Sequence, residues 1–291
     1  MKKVLITGAG SYIGTSFEKY IKENYEDEFF IDTVDMTDSN WREKSFAEYD
    51  CIFHVAGIAH SDNGCINSEK EKLYYLVNTD LTIETARKAK ADGAKQFVFM
   101  SSAIVYGNSA PIGKSNVITK ETPVSPANCY GDSKVQAENG ILPLSEKIFR
   151  VVVLRPPMIY GKASKGNYPL LSKLALKLPF FPYVKNERSM LYIENLCEFI
   201  RLIIINEEQG IFWPQNSEYS NTSEIVKLIS DAHGKKIILI KGFAWVLKIL
   251  SHLTGLVNKA FGSMCYDKSM SEYKIEYRKF SLSESITRTE I

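Results

Sequence analysis

Tyr130 and Lys134, in the run YGDSK, set a phenol and an ammonium four residues apart. On a helix that spacing puts both on one face, one turn apart. A free phenol, with a pKa of about 10, is a poor base at neutral pH, and a cation held beside it favours the phenolate. The pair is therefore expected to act as a tuned proton donor and acceptor. The bland alternative is two ordinary surface residues on a helix, so the rest of the chain has to decide.

A second chemical feature opens the chain. TGAGSYIG (7–14) follows the short apolar run VLIT and leads into helical apolar spacing at Ile13, Phe17, Tyr20 and Ile21. Glycines between a strand and a helix let the backbone approach a pyrophosphate at the helix N-terminus, as in a dinucleotide-binding fingerprint. Gly8, Gly10 and Gly14 are the candidates, with Ser11, Tyr12 and Ile13 completing the loop. Asp35 lies 21 positions after Gly14, with Met36 beside it. At the end of a second strand its carboxylate can accept hydrogen bonds from a ribose diol and would repel a 2′-phosphate. Asp32 is the rival, while Asp38 or Ser39 is read as a helix cap. NAD is the expected cofactor, with NADP left open.

Elements that could position these groups follow in order. Strand-like segments at 4–7, 29–35, 51–57, 96–102 and 149–156 alternate with helical ones at 11–25, at 73–93 closed by Gly93, and from about 128. That alternation predicts a parallel sheet covered on both faces, in a Rossmann-like, doubly wound α/β fold. After residue 160 the rhythm changes, with a helix at 191–210 and a strand at 235–241. The expected organisation is a dinucleotide-binding domain over 1–160, with 190–213 returning to it. A smaller mixed α/β substrate-binding region covers 161–189 and 214–291.

A net charge of +2 gives no reason to expect nucleic acid as a partner. Five scattered cysteines, odd in number and without a C-x-x-C pair, predict free thiols in a reducing cytoplasm and no zinc site. Cys129, beside Tyr130, is read as packing. No apolar run approaches the ~20 residues of a membrane span. The stretch FAWVLKILSHLTGLVNKAF (243–261) is interrupted by Lys248, His252, Gly255 and Lys259. It is read as one or two amphipathic helices packing on the core, so membrane association is not expected; a membrane-surface role is the alternative. His54 and His60 are read as core or loop histidines, and Arg155 as a possible partner of a structural carboxylate.

Seven motifs then fall in one order: TGAGSYIG, HVAG, VNTDLT, FVFMSSAIVYG, YGDSK, LRPPMIYG and RSMLYIENL. From residue 3 to about 200 the chain resembles the extended short-chain dehydrogenase/reductases, in the NAD-dependent epimerase/dehydratase branch that acts on nucleotide sugars. The resemblance implies that Tyr130 is the catalytic base and that Lys134 is its partner and a ribose ligand. It implies that Ser102 hydrogen-bonds the reacting hydroxyl. Ala56, Gly57, Asn78 and Pro157 would line the cofactor pocket, and Arg188 would grip the sugar-nucleotide diphosphate. It also implies a homodimer built through the helices of Asn78 and Tyr130. Two positions depart from the pattern. Ser11 replaces the usual middle glycine, with Gly10 expected to relieve the same crowding. Met158 replaces a common asparagine, with Asn167 expected to supply the polar contact.

The sequence is similar to a subgroup handling UDP-N-acetylhexosamines in polysaccharide precursor synthesis. The function expected is therefore a cytoplasmic NAD-dependent epimerase acting at C4 of a UDP-hexose or UDP-N-acetylhexosamine. The alternatives are an NAD(P)H-dependent 4-keto reductase and a non-catalytic dinucleotide-binding regulator. Ala103 and Ile104, where dehydratases carry an Asp-Glu pair, argue against 4,6-dehydration.

Overall fold

The first strand, β1 (Lys2–Thr7), buries four consecutive residues, Val4 to Thr7, as a strand covered by helices on both faces must. It belongs to a computed structural model that describes residues 1–59, 68–253 and 255–291. His60 and Cys65 lie outside the described residues. The chain forms two compact units. The first comprises Met1–Gly107, Pro123–Pro156 and Cys197–Pro214; the second comprises Asn108–Thr122, Pro157–Leu196 and Gln215–Ile291.

In the first unit, β1 is followed by helix α1 (Tyr12–Asn24), β2 (Phe29–Val34) and β3 (Cys51–His54). Only a 3-10 turn, Ser39–Arg42, intervenes between β2 and β3, capped by Asp38 as the sequence suggests. Next come α2 (Ser68–Tyr74), a π-helical segment (Tyr75–Asp80) and α3 (Leu81–Asp92), which stops at Gly93 in the left-handed conformation. β4 (Gln96–Met100) follows. Val117–Ile118, in the second unit, is β5. The first unit resumes with α4 (Cys129–Ile141) and β6 (Arg150–Leu154).

The second unit contributes β7 (Met158–Tyr160), α5 (Tyr168–Lys177), β8 (Phe180–Pro182) and β9 (Met190–Tyr192). Helix α6 (Ile193–Ile205) and β10 (Gly210–Phe212) follow. The remaining elements are α7 (Thr222–Ala232), β11 (Ile238–Ile240), α8 (Ala244–Leu253), α9 (Gly255–Phe261), β12 (Cys265–Tyr266) and α10 (Leu282–Glu290).

The first unit carries a six-stranded parallel sheet in the order β10-β6-β4-β3-β1-β2. This is the doubly wound arrangement expected. The chain runs outward from β1 to β2, then crosses over to β3 on the other side of β1. The crevice outside the carboxyl ends of β1 and β3 is thus the topological switch point, where ligands bind in such sheets. Phe53, Phe97 and Phe99 are fully buried on the central strands. Each contributes about 1.5–3 kcal/mol by leaving water.

The second unit has no large sheet among the described residues; β7 pairs with β9, β8 with β11 and β5 with β12. The strand expected over 235–241 narrows to β11, and the helix expected from 191 starts after β9. The free-thiol reading fails at Cys129, which is in a disulfide. Cys51, Cys197 and Cys265 are buried thiols. Spacing along the chain could not reveal this, because pairing needs only that two Cα atoms come within about 7 Å. No helix among the described residues is long and apolar enough to cross a membrane.

Candidate active site

The glycine loop joins β1 to α1 at the switch point. Gly8 has φ +98°, and a Cβ there would lie 2.8 Å from the Ala56 backbone. Only glycine permits both that conformation and that crossing of the β1 and β3 ends. Gly10 also needs a positive φ, +75°, but a Cβ on it would meet nothing within 4 Å. No protein atom crowds it, so within the protein its role is conformational. Ser11 instead caps α1, accepting from the Gly14 amide at 3.2 Å. Gly14 sits so close to Ile6 and Val55 that any side chain would wedge helix from sheet.

These contacts leave the amides of Tyr12 and Ile13 at the first turn of α1, where helical geometry gives them no internal acceptor. The Tyr12 hydroxyl is buried without a hydrogen bond among the described residues. A close backbone cradle with unsatisfied amides fits a pyrophosphate.

Val34, the last residue of β2, accepts from the Gly8 and Ala9 amides at 2.9 and 3.2 Å. Asp35 therefore follows directly beside the glycine loop. It is exposed, and hydrogen bonds from the Thr37 amide and hydroxyl, both 2.8 Å, hold its pKa below the usual carboxylate value. Asp32 is taken: it pairs with Lys44 at 2.8 Å and accepts from the Tyr49 hydroxyl at 2.6 Å. Met36 is half-buried and packs against the core cluster that includes Trp41 and Phe46.

Ser102 and Tyr130 meet because two elements are pinned. Asn128 caps α4 by accepting from Gly131 at 2.9 Å, which fixes the turn carrying Tyr130. A Cβ on Gly131 would lie 2.9 Å from the Ile104 carbonyl, so glycine lets α4 press against the turn that starts at Ser102. Sequence reading passed over Gly131, although it stands inside YGDSK. Ser102 lies close enough to the Tyr130 phenol to favour its ionised form, and Tyr74 lies near it, with ring centroids 5.9 Å apart.

Lys134 extends below. Its ammonium donates to the Met100 carbonyl at 2.9 Å and sits 4.6 Å from the Phe99 ring centroid. Gly57 leaves room here: a Cβ would come to 3.0 Å from Asn78 Oδ1 and 3.4 Å from Lys134 Nζ. Asn78 is fully buried in the π-helical segment, a geometry common at functional sites. Its amide bridges both main-chain polar groups of Ile58 and donates to Ser133 on α4.

The electrostatics run against the simple pairing of cation and phenol. Burial pushes Tyr130 up to about 12; the nearby Ser102 hydroxyl lowers it and Tyr74 raises it. Burial pulls Lys134 down to about 8, with Glu138 opposing. Burial sets the direction of both shifts, and neither group shifts the other.

Behind these residues lies a buried network that sequence reading only half saw. Arg155 forms a bidentate pair with Glu138, at 2.5 Å for the shortest contact, and donates to the Tyr106 hydroxyl at 2.7 Å. Glu138 also accepts from Ser101 at 2.5 Å. Arg155 thus has the structural carboxylate suspected. Glu138, one turn beyond Lys134 on α4, could have been found by continuing the same helical face. His54 is a satisfied core histidine, bonded to the Thr7 and Thr82 hydroxyls at 2.7 and 3.0 Å and lowered by burial to about 3.

Pro157, Asn167 and Arg188 belong to the second unit. Asn167 is exposed at the start of α5 and makes no capping bond. The Arg188 guanidinium donates to the carbonyls of Lys259 and Ala260, at 2.5 and 3.2 Å. Among the described residues no carboxylate pairs with it, and burial lowers its pKa.

The model of the NAD dependent epimerase/dehydratase family matches residues 4–212. A UDP-glucose 4-epimerase of Vibrio cholerae is 27% identical over 304 residues, covering 95% of this chain and 90% of the relative. An N-acetyl-alpha-D-glucosaminyl-diphospho-ditrans,octacis-undecaprenol 4-epimerase of Escherichia coli O157:H7 is 27% identical over 252 residues, 80% of this chain and 73% of that protein. Among solved structures, a UDP-glucuronic acid 4-epimerase of Bacillus cereus in complex with NAD superposes with a TM-score of 0.74 at 16% identity, over 99% of this chain and 97% of the other. This chain belongs to the NAD-dependent epimerase/dehydratase family.

Proposed function

We propose that the protein interconverts the C4 epimers of a UDP-hexose or UDP-N-acetylhexosamine, using NAD held by the glycine loop. The observation that carries this reading is the juxtaposition of Ser102 and Tyr130 with Lys134 one turn on, beside a cradle that fits a pyrophosphate. The near full-length similarity to a UDP-glucose 4-epimerase supports the reaction type. NAD, when bound, supplies the hydride acceptor and donor. Tyr130 takes the proton from the C4 hydroxyl as the sugar is oxidised and returns it on reduction. Ser102 donates to the same oxygen and keeps it aligned with the phenol. Lys134 holds a ribose and lends positive charge to the phenolate once its site is filled. General base catalysis of this kind contributes typically about 10²–10⁴-fold.

Arg188 of the second unit is assigned to the substrate diphosphate, since it is a cation without a carboxylate partner among the described residues. Asn167 is assigned to the sugar. A homodimer through α2, the π segment and α4 is part of the same reading, supported by the exposed Leu73 and Leu76 flanking Tyr75. Assay on a panel of UDP-sugars tests the proposal: wild type should epimerise at least one, and Tyr130→Phe should bind NAD but turn over none. Near-native turnover by Tyr130→Phe would move the chemistry elsewhere.

A further inference from the structure

The outward face of α8 is the feature that the chemistry leaves unused. Val246 and Leu247 are half-buried, but Phe243, Trp245 and Ile249 stand 50%, 67% and 57% exposed. Helical spacing puts Trp245, Lys248 and Ile249 on one face. The expectation that this stretch packs on the core fails at Phe243, Trp245 and Ile249.

The same unit exposes further apolar side chains. β8 and β11 pair so that Phe180 stands opposite Ile238, and both are more than half exposed. Leu178, just before β8, is exposed as well. Large aromatic and branched side chains on neighbouring elements are not the scattered single residues of an ordinary surface.

Charge says what covers them. Residues 157–186 and 232–266 together hold ten lysines and no arginine, aspartate or glutamate. The whole chain carries only +2, so these two segments carry +10 and the rest carries −8. The structure brings the segments together through the β8–β11 pair and through Lys235, whose ammonium donates to the Leu176 carbonyl at 3.0 Å. Lys177, Lys236, Lys241 and Lys248 are all exposed around the apolar residues. Exposed aromatic and aliphatic side chains, a tryptophan among them, with exposed lysines beside them along the same segments match the water–lipid interface of an anionic bilayer. A second copy of this chain matches poorly, because a two-fold contact would set lysines against lysines.

We propose that this face docks the protein on an anionic phospholipid surface, with Phe243, Trp245 and Ile249 entering the headgroup boundary and the lysines contacting phosphates. The test is co-sedimentation of the full chain with phosphatidylcholine vesicles, with and without phosphatidylglycerol. The expected result is binding to the anionic vesicles alone, reversed by salt. Phe243→Ser/Trp245→Ser and, separately, Lys241→Glu/Lys248→Glu should each weaken binding by roughly tenfold or more, while thermal melts stay unchanged. No binding to anionic vesicles at low salt overturns the proposal, as does binding that both double variants leave intact. A dimer that the serine variant abolishes in the absence of lipid would assign the face to a second copy and overturn it too.

Discussion

The Lys134 ammonium donates its 2.9 Å hydrogen bond to the Met100 carbonyl at the end of β4, in surroundings that lower its pKa from 10.5 to about 8. A buried lysine whose folded pKa lies below its unfolded value destabilises the fold wherever it is charged. The cost is complete below the folded pKa and vanishes as pH rises past the unfolded value. It amounts to about 3 kcal/mol at neutral pH, at roughly 1.4 kcal/mol per unit. Loss of the bond to Met100 offsets about 1–3 kcal/mol of the relief on substitution. Lys134→Met should therefore melt no lower than wild type at pH 7 while losing activity, with its relative stability falling as pH is raised through 8–10. A Tm several degrees below wild type at pH 7 would contradict this.

The pH dependence of turnover should report on Ser102. Its hydroxyl lowers the phenol that burial raises. Without it, the phenolate is harder to form, so Ser102→Ala should shift the acid limb of the kcat/KM profile toward higher pH and reduce the plateau rate. An unmoved limb with only a lower plateau would mean that Ser102 does not act on the Tyr130 oxygen.

Asp35 is exposed beside the glycine loop, and Asp32 is committed to Lys44 and Tyr49. Wild type should bind NAD(H) more tightly than NADP(H), and Asp35→Ala should narrow or reverse the preference by removing a negative charge. Titrating both cofactors by fluorescence checks this; an unchanged ratio would show that Asp35 does not face the ribose.

Arg188→Ala should weaken UDP binding by about 1.5–3 kcal/mol, the range for a charged hydrogen bond, with the melt little changed. Isothermal titration with UDP provides the number. Equal affinity in the variant would return Arg188 to a structural role, tethering the Lys259 and Ala260 carbonyls.

The sheet was legible because each strand is an apolar run followed by a turn or a helix, and because TGAGSYIG stands in its strand–loop–helix context. The contact of Tyr130 with Ser102 was suggested only by resemblance, since 28 residues separate them. What brings them together, Asn128 as a cap and Gly131 against Ile104, is a matter of close approach that no periodicity reveals. The direction of the pKa shifts was misjudged for a related reason. Spacing fixes which groups are neighbours, whereas burial, which decides the sign here, depends on everything packed around them. Cys129 shows the same limit, because its disulfide rests on proximity alone.

The most direct test of the central claim is the stoichiometry of cofactor use. Purified protein with far less NAD⁺ than sugar should convert a UDP-hexose or UDP-N-acetylhexosamine into its C4 epimer over many turnovers, with no net reduced cofactor accumulating. Consumption of one reduced cofactor per 4-keto nucleotide sugar, with no epimerisation of any UDP-sugar tested, would contradict it and identify a reductase.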